Sequence, residues 1–234
     1  MDCYITGTDT GAGKTWTTCA ILRALSLQGL GAAAQKPIAA GVELFGKEEV
    51  NEDVVRLAAS ASVALRPQLL NPYLFRAPTA PHLAASIERR TISFAHIAAA
   101  FEEARSLTDT LLVEGVGGWC LPFGPDGMQS DLVARLQLPV LLVAGIRLGA
   151  LNHTLLTIRA LKADGVPLIG WLANNVDPLY PYAEATVEAL AERIDAPCFG
   201  LVPWQAEENL SIPEPIERVA QVLSRARAAD SLRN

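Results

Sequence analysis

Near the start of the chain, the run Gly7-Thr8-Asp9-Thr10-Gly11-Ala12-Gly13-Lys14-Thr15 combines glycines, one lysine and several hydroxyls in an order suited to holding a polyphosphate. It follows a short β-type run (residues 3–6) and leads into a helical pattern over residues 16–27, the context a phosphate-binding loop requires. In such a loop the backbone N–H groups and the helix N-terminus converge on the anion. Lys14 would reach the β- and γ-phosphates, and the Thr15 hydroxyl would sit on Mg²⁺. One departure stands out: Thr8 occupies the place of the usual first glycine, with Gly7 one residue early. The motif implies binding of a nucleoside triphosphate. A Gly-rich turn that binds nothing is the plain alternative.

Other groups able to do chemistry close apolar segments farther on. Lys36 ends one such run and is followed by Pro37 and Gly41, which set a turn. A lysine there would add a second positive charge beside the phosphate loop; a surface lysine at a strand end is the bland reading. Glu114 ends the run 111–113 and precedes Gly115-Val116-Gly117-Gly118. A carboxylate in that place is the Walker-B arrangement, which supplies a ligand to Mg²⁺ directly or through water. Asp53 could join it, although acids in a first helical turn often serve the helix terminus alone. Asn174, in the pair Asn174-Asn175, offers an amide donor and acceptor that would fit an adenine edge, or would equally suit a turn. Val202-Pro203-Trp204 could form a wall against a base. The three histidines (82, 96 and 153) lack metal-site spacing, and no Ser-His-Asp or Cys-His arrangement is legible.

The elements that must position these residues alternate. Short β-rich runs fall near 2–6, 31–36, 109–114, 139–145, 167–173 and 197–202, with helical patterns between them. In the pattern at 93–101, Ser93 reads as an N-cap and apolar residues recur at helical spacing. Strands such as 139–144 are apolar throughout, the mark of a parallel sheet covered on both faces. The pattern predicts one α/β domain over 1–234, a doubly wound, mainly parallel sheet with helices on both faces. In such sheets ligands sit at the carboxyl ends of the strands, where the residues above fall. The Pro-rich stretch 65–90 reads as a long loop, and long ordered loops are usually functional.

Composition narrows the class. The 234 residues are half hydrophobic, enough for a substantial core, and carry a net charge of −6. With a pI near 5.1 the chain has no basic surface for a nucleic-acid backbone. Cys3, Cys19, Cys120 and Cys198 are scattered and read as buried free thiols in a reducing compartment. The longest apolar run (138–146) is about nine residues, too short for a bilayer. No signal peptide is visible, so the expectation is a soluble cytoplasmic protein without membrane or nucleic-acid partners.

Taken in order along nearly the whole chain, these motifs resemble the dethiobiotin synthetase family, the ATP-dependent ligases of biotin synthesis. The resemblance is carried by Gly-Thr-Asp-Thr-x-x-Gly-Lys-Thr (7–15), Gln-Lys-Pro (35–37), Asn-Pro-Tyr (71–73) and Pro-Thr-Ala-Pro-His (78–82). Val-Glu-Gly-Val-Gly-Gly-Trp (113–119), Leu-Gly-Ala-Leu-Asn-His-Thr-Leu-Leu-Thr (148–157) and Pro-Trp (203–204) complete it. It implies that 7,8-diaminopelargonate, CO₂ and MgATP give dethiobiotin, ADP and phosphate, by way of a carbamate, its phosphorylated form and closure of a cyclic urea. Phosphoryl transfer of this kind rests on positioning and charge neutralisation. By motif position, Lys14 would serve the transferring phosphate, Lys36 the carbamate, and Thr10 would touch the reacting groups. Thr15, Asp53 and Glu114 would hold Mg²⁺. ATP would further contact Gly11, Ala12, Gly13, Trp16, Gly115, Val116, Gly117, Asn174, Asn175, Val202, Pro203 and Trp204, with Glu207 at the ribose. The diamine would meet Lys36, Ala40, Gly117 and the segment Leu148, Gly149, Ala150 and Asn152. There a helix N-terminus could receive its far carboxylate. The family also implies a homodimer with substrate near the subunit interface. Ala40 departs from the hydroxyl residue the family usually carries, a loss of about 0.5–1.5 kcal/mol if one hydrogen bond is missing.

Two other classes share parts of this pattern. A cobyrinate-type amide synthetase has a similar loop and sheet but normally adds a glutaminase domain, for which 234 residues leave no room. A partner-regulated ATPase switch typically carries a second lysine five residues before the loop lysine, where this chain has Asp9. The apolar spacing at 216, 219, 220 and 223 would suit a membrane-targeting tail, but a packing helix explains it more simply.

Overall fold

The computed structural model describes residues 1–45, 48–204 and 211–231. In chain order the elements begin β1 (Cys3–Gly7), α1 (Lys14–Leu27), β2 (Ala32–Gln35), β3 (Ile38–Ala40), β4 (Glu43–Phe45), β5 (Glu48–Val50) and α2 (Glu52–Ser60). Then come α3 (Pro67–Leu70), β6 (Tyr73–Phe75), α4 (Pro81–Ile87), α5 (Phe94–Ser106), β7 (Thr110–Glu114), β8 (Pro122–Gly124), β9 (Gly127–Met128) and α6 (Gln129–Leu136). The last are β10 (Val140–Ile146), α7 (Ala150–Ala163), β11 (Leu168–Asn175), α8 (Ala183–Ala191), β12 (Cys198–Val202) and α9 (Glu214–Ser231).

The main sheet runs β12-β11-β10-β1-β7-β2, and every pairing in it is parallel. Its strands are the six anticipated β-rich runs. Because successive side chains point to opposite faces, each strand feeds two cores. Tyr4, Leu111, Val113, Val140 and Leu142 face one layer, packed with Ile97, Phe101, Leu132 and Ile158 from α5, α6 and α7. Cys3, Ile5, Leu112, Leu141 and Val143 face the other, with Ile21, Leu25 and Leu57 from α1 and α2. Ile216, Val219, Ala220 and Leu223 of α9 join that second layer, so the apolar stripe near the end of the chain is a packing face.

Two expectations change. The 65–90 stretch is not a bare loop but contains α3, β6 and α4. Its order comes from tertiary pairing: β6 runs parallel to β3, and Lys36 N donates to Leu70 O at 2.7 Å. The thiols are not all buried either, since Cys120 is exposed and Cys198 half-buried, while Cys3 and Cys19 lie in the core. Ser93 does cap α5, its hydroxyl accepting from His96 N.

No helix of the described residues is long and apolar enough to cross a membrane.

Candidate active site

The phosphate loop leaves β1 at the centre of the sheet and enters α1 through Gly13, whose φ of +88° is left-handed and suits glycine. No side chain caps α1, so its first N–H groups stay open toward the loop. Thr8, at the position of the usual first glycine, has a definite task. Its Oγ1 accepts from Gly145 N at 3.2 Å and its N donates to Val143 O, which moors the loop to β10. On the same side, Asn174 Nδ2 donates to Ala12 O at 3.0 Å. Asp9 pairs with Arg147 at 3.0 Å.

Four polar side chains from four elements meet beside this loop. Lys36 Nζ lies 2.6 Å from Asp53 Oδ2 and 2.7 Å from Glu114 Oε1. Thr15 Oγ1 lies 2.8 Å from Asp53 Oδ1 and 2.7 Å from the same Glu114 oxygen. Glu114 is fully buried at the end of β7. Burial alone would lower the Lys36 pKa, but the Glu114 and Asp53 carboxylates outweigh it and hold the ammonium above its ordinary value. For Asp53, burial pulls upward while the Lys36 charge and the bonds from Lys36 and Thr15 pull down harder, leaving its pKa lowered. Lys14 stands apart from the carboxylates and donates to Gly117 O (2.6 Å) and Asp9 O (3.1 Å). Burial, followed by the charge of Lys36, lowers its pKa to about 8.

The supporting bonds explain the placement. Asn51 caps α2: its Oδ1 accepts from Val54 N and its Nδ2 donates to Gly41 O. The cap is therefore Asn51, and Asp53, two residues on in the first turn, is left to face the loop. Asn71 Nδ2 donates to Lys36 O at 2.6 Å and to Tyr73 O at 3.1 Å, fixing the backbone beneath Lys36. Gln129, fully buried, accepts from Val116 N and donates to Gly118 O, which shapes the segment after Glu114. A side chain at Gly115 would meet the Tyr4 hydroxyl at 2.8 Å and Gln129 Oε1 at 2.9 Å, so only glycine fits there.

Two cavities of about 370 Å³ each adjoin along the loop. The inner one is lined by Thr10, Gly11, Gly13, Lys14, Thr15, Trp16, Lys36, Ala40, Asn51, Asp53, Arg56, Val116 and Gly117. The outer one is lined by Gly11, Gly13, Trp16, Arg56, Asn174, Asn175, Val176, Pro203 and Trp204. The inner lining is rich in charged and hydroxyl side chains, and the outer one adds Val176, Pro203 and Trp204. Val202 lies beneath, buried in the core, and Glu207 lies outside the described residues. Asn175 closes a turn, its Oδ1 accepting from Asp177 N. Leu148, Gly149, Ala150 and Asn152 line neither cavity; Gly149 precedes α7 as expected, and Leu148 is 84% exposed. Arg56, Asn51 and Gln129 were not among the residues singled out in the sequence, and Asn71 stood there only as part of the Asn-Pro-Tyr motif.

Thr15, Asp53 and Glu114 are hard oxygen donors of the kind Mg²⁺ prefers. Glu114 Oε2 is buried without a hydrogen-bond partner among the described residues, an acceptor that a cation would satisfy. The donor set fits the metal.

Phosphate loop, buried acid at a strand end and paired cavities define a P-loop nucleotide-binding protein. A family model described as an AAA domain matches residues 2–209. Among curated proteins, an ATP-dependent dethiobiotin synthetase of Aromatoleum aromaticum is 46% identical, over 87% of this chain and 90% of its own length. A protein of the same name from Janthinobacterium is 44% identical over 94% and 93%. The chain belongs to the dethiobiotin synthetase family. Solved structures share the fold at low identity. The MinC:MinD cell division complex of Aquifex aeolicus gives a TM-score of 0.58 at 16% identity, covering 96% of each chain. Cobyrinic acid a,c-diamide synthase of Mycobacterium smegmatis gives 0.52 at 15%, covering 96% of this chain and 94% of that one.

Proposed function

We propose that this protein joins CO₂ to 7,8-diaminopelargonate at the expense of ATP, giving dethiobiotin, ADP and phosphate. Family membership supports the reaction, and one observation carries the site: Lys36, Thr15, Asp53 and Glu114 share a single hydrogen-bonded cluster beside the phosphate loop. One amine of the substrate captures CO₂ as a carbamate. The γ-phosphoryl group passes to a carbamate oxygen, and the second amine attacks that carbon, closing the urea and expelling phosphate. Thr15, Asp53 and Glu114 would hold Mg²⁺, which when bound neutralises charge on the triphosphate. Lys14 orients the transferring phosphate and Lys36 the carbamate, each as a buried positive charge facing a growing negative one. Thr10, on the rim of the inner cavity, touches the reacting groups. The outer cavity takes the adenine between Asn174 and the Pro203-Trp204 wall.

The reading includes a homodimer in the cytoplasm. Leu148, just before α7, and Leu151 and Leu156 on it are exposed apolar side chains that a second copy would cover. The N-terminus of α7 would then present its N–H groups to the substrate's far carboxylate at the shared interface. Ala40, the last residue of β3, offers no hydroxyl, so the diamine is held there by one bond fewer.

The test is incubation with MgATP, labelled bicarbonate and 7,8-diaminopelargonate, read by mass spectrometry. The expected product carries one labelled carbon in a cyclic urea, with ADP in equal amount. ADP formation at a rate indifferent to the diamine would leave a P-loop ATPase and remove the ligase.

A further inference from the structure

Arg56 sits where the two cavities meet. It lies three residues after Asp53 on α2, hence on the same helical face. Together with Gly11, Gly13 and Trp16 it lines both the inner and the outer cavity. Among the described residues it is the one charged residue in the outer lining. Its Nη1 is 3.2 Å from Glu52 Oε1, in a pair whose side chains are 36% and 67% exposed, and an exposed pair of this kind contributes little.

Counting Lys14 with the cluster beside the loop, two lysines stand against two carboxylates, close to neutral as a whole. A nucleoside triphosphate with its magnesium still carries about two negative charges. Among the described residues lining the two cavities, Arg56 is the positive side chain besides Lys14 and Lys36. Its position matches neither the terminal phosphate, which belongs to Lys14, nor the far end of the base cavity. Between them falls the phosphate nearest the sugar. A guanidinium suits that place because its planar fork can donate two parallel bonds to phosphate oxygens.

We propose that Arg56 is a nucleotide-binding residue that grips the α-phosphate at the seam of the two cavities. The proposal rests on the nucleotide reading of the site. The experiment uses full-length protein, titrated calorimetrically with MgADP and with adenosine, and its thermal melting in parallel. Arg56→Ala should weaken MgADP about tenfold or more, with adenosine affinity and melting temperature little changed. Arg56→Lys should recover part of the loss, since charge returns without the fork. Glu52→Ala should bind MgADP at least as tightly as the parent. An Arg56→Ala protein with parental MgADP affinity overturns the proposal, and so does an equal loss for adenosine, which would make Arg56 a wall of the base cavity. A parent protein that binds no MgADP removes the nucleotide reading itself, a different and recognisable failure.

Discussion

Replacing Glu114 by glutamine tests the cluster at its most buried member. The change keeps shape and volume and removes one charge. Lys36, with 4% of its side chain exposed, then loses one of two carboxylates and keeps only Asp53, which is 42% exposed. Removing one partner of a buried pair costs roughly 3–5 kcal/mol. Because Asp53 still neutralises the ammonium, the lower edge applies, about 3 kcal/mol. For a chain of this size each kcal/mol moves the melting temperature by about 2–4 °C, so Glu114→Gln should melt roughly 6–12 °C below the parent. Asp53→Asn removes a far wetter charge from the same lysine and should cost about 1 kcal/mol or less, hence no more than about 4 °C. Circular dichroism melts at pH 7.5, without nucleotide or metal, measure both. The order decides the matter: a Glu114→Gln protein that melts with the parent, or above Asp53→Asn, would refute the reasoning. The same Glu114→Gln protein should also lose most of the extra stability that MgADP gives the parent.

Lys14 makes nucleotide binding proton-linked. With its pKa lowered to about 8, an arriving phosphate restores the charged form, so binding near pH 8 should take up about half a proton. Calorimetry in two buffers of different ionisation heat measures it, and zero uptake counts against the burial of Lys14. The sign for stability follows: between pH 8 and the ordinary lysine value of 10.5 the unfolded chain holds more protons, so this group's contribution to apo stability rises with pH in that window. A Cβ on Gly13 would lie 2.0 Å from Asn174 Nδ2 in a left-handed conformation, so Gly13→Ala should break the Asn174–Ala12 bond and weaken MgADP about tenfold. Adding Asn174→Ala should return part of it, and a titration showing simple additivity would contradict the clash. Asn71→Ala should lower kcat about tenfold while MgADP affinity holds, because only the backbone under Lys36 is released; steady-state kinetics beside calorimetry separates the two.

Much of this architecture was legible because parallel strands covered on both faces must be apolar throughout, and their ends are where polar residues can first reappear. Lys36 and Glu114 stand out by closing such strands, and the loop by its glycines. Asp53 was ambiguous from sequence, since an acid in a first turn satisfies a helix terminus as readily as a cation. The cap turned out to be Asn51, two residues earlier. The order within 65–90 was invisible because it depends on β3 and on the peptide groups of Lys36, far off in sequence. Arg56 left no trace at all: an arginine on a half-exposed helix is commonplace, and only the meeting of α2 with the loop gives it a role. The direct bonds from Lys36 to Glu114, 78 positions away, are likewise a product of folding.

Those bonds bear on how the protein can change over generations. Thr15, Lys36, Asp53 and Glu114 come from α1, the end of β2, α2 and the end of β7, and each answers to at least two of the others. A substitution at one alters the setting in which the next is judged. Their effects will therefore be strongly epistatic, and a route that replaces them one at a time passes through intermediates with a stranded charge. The quartet is inherited as a single character.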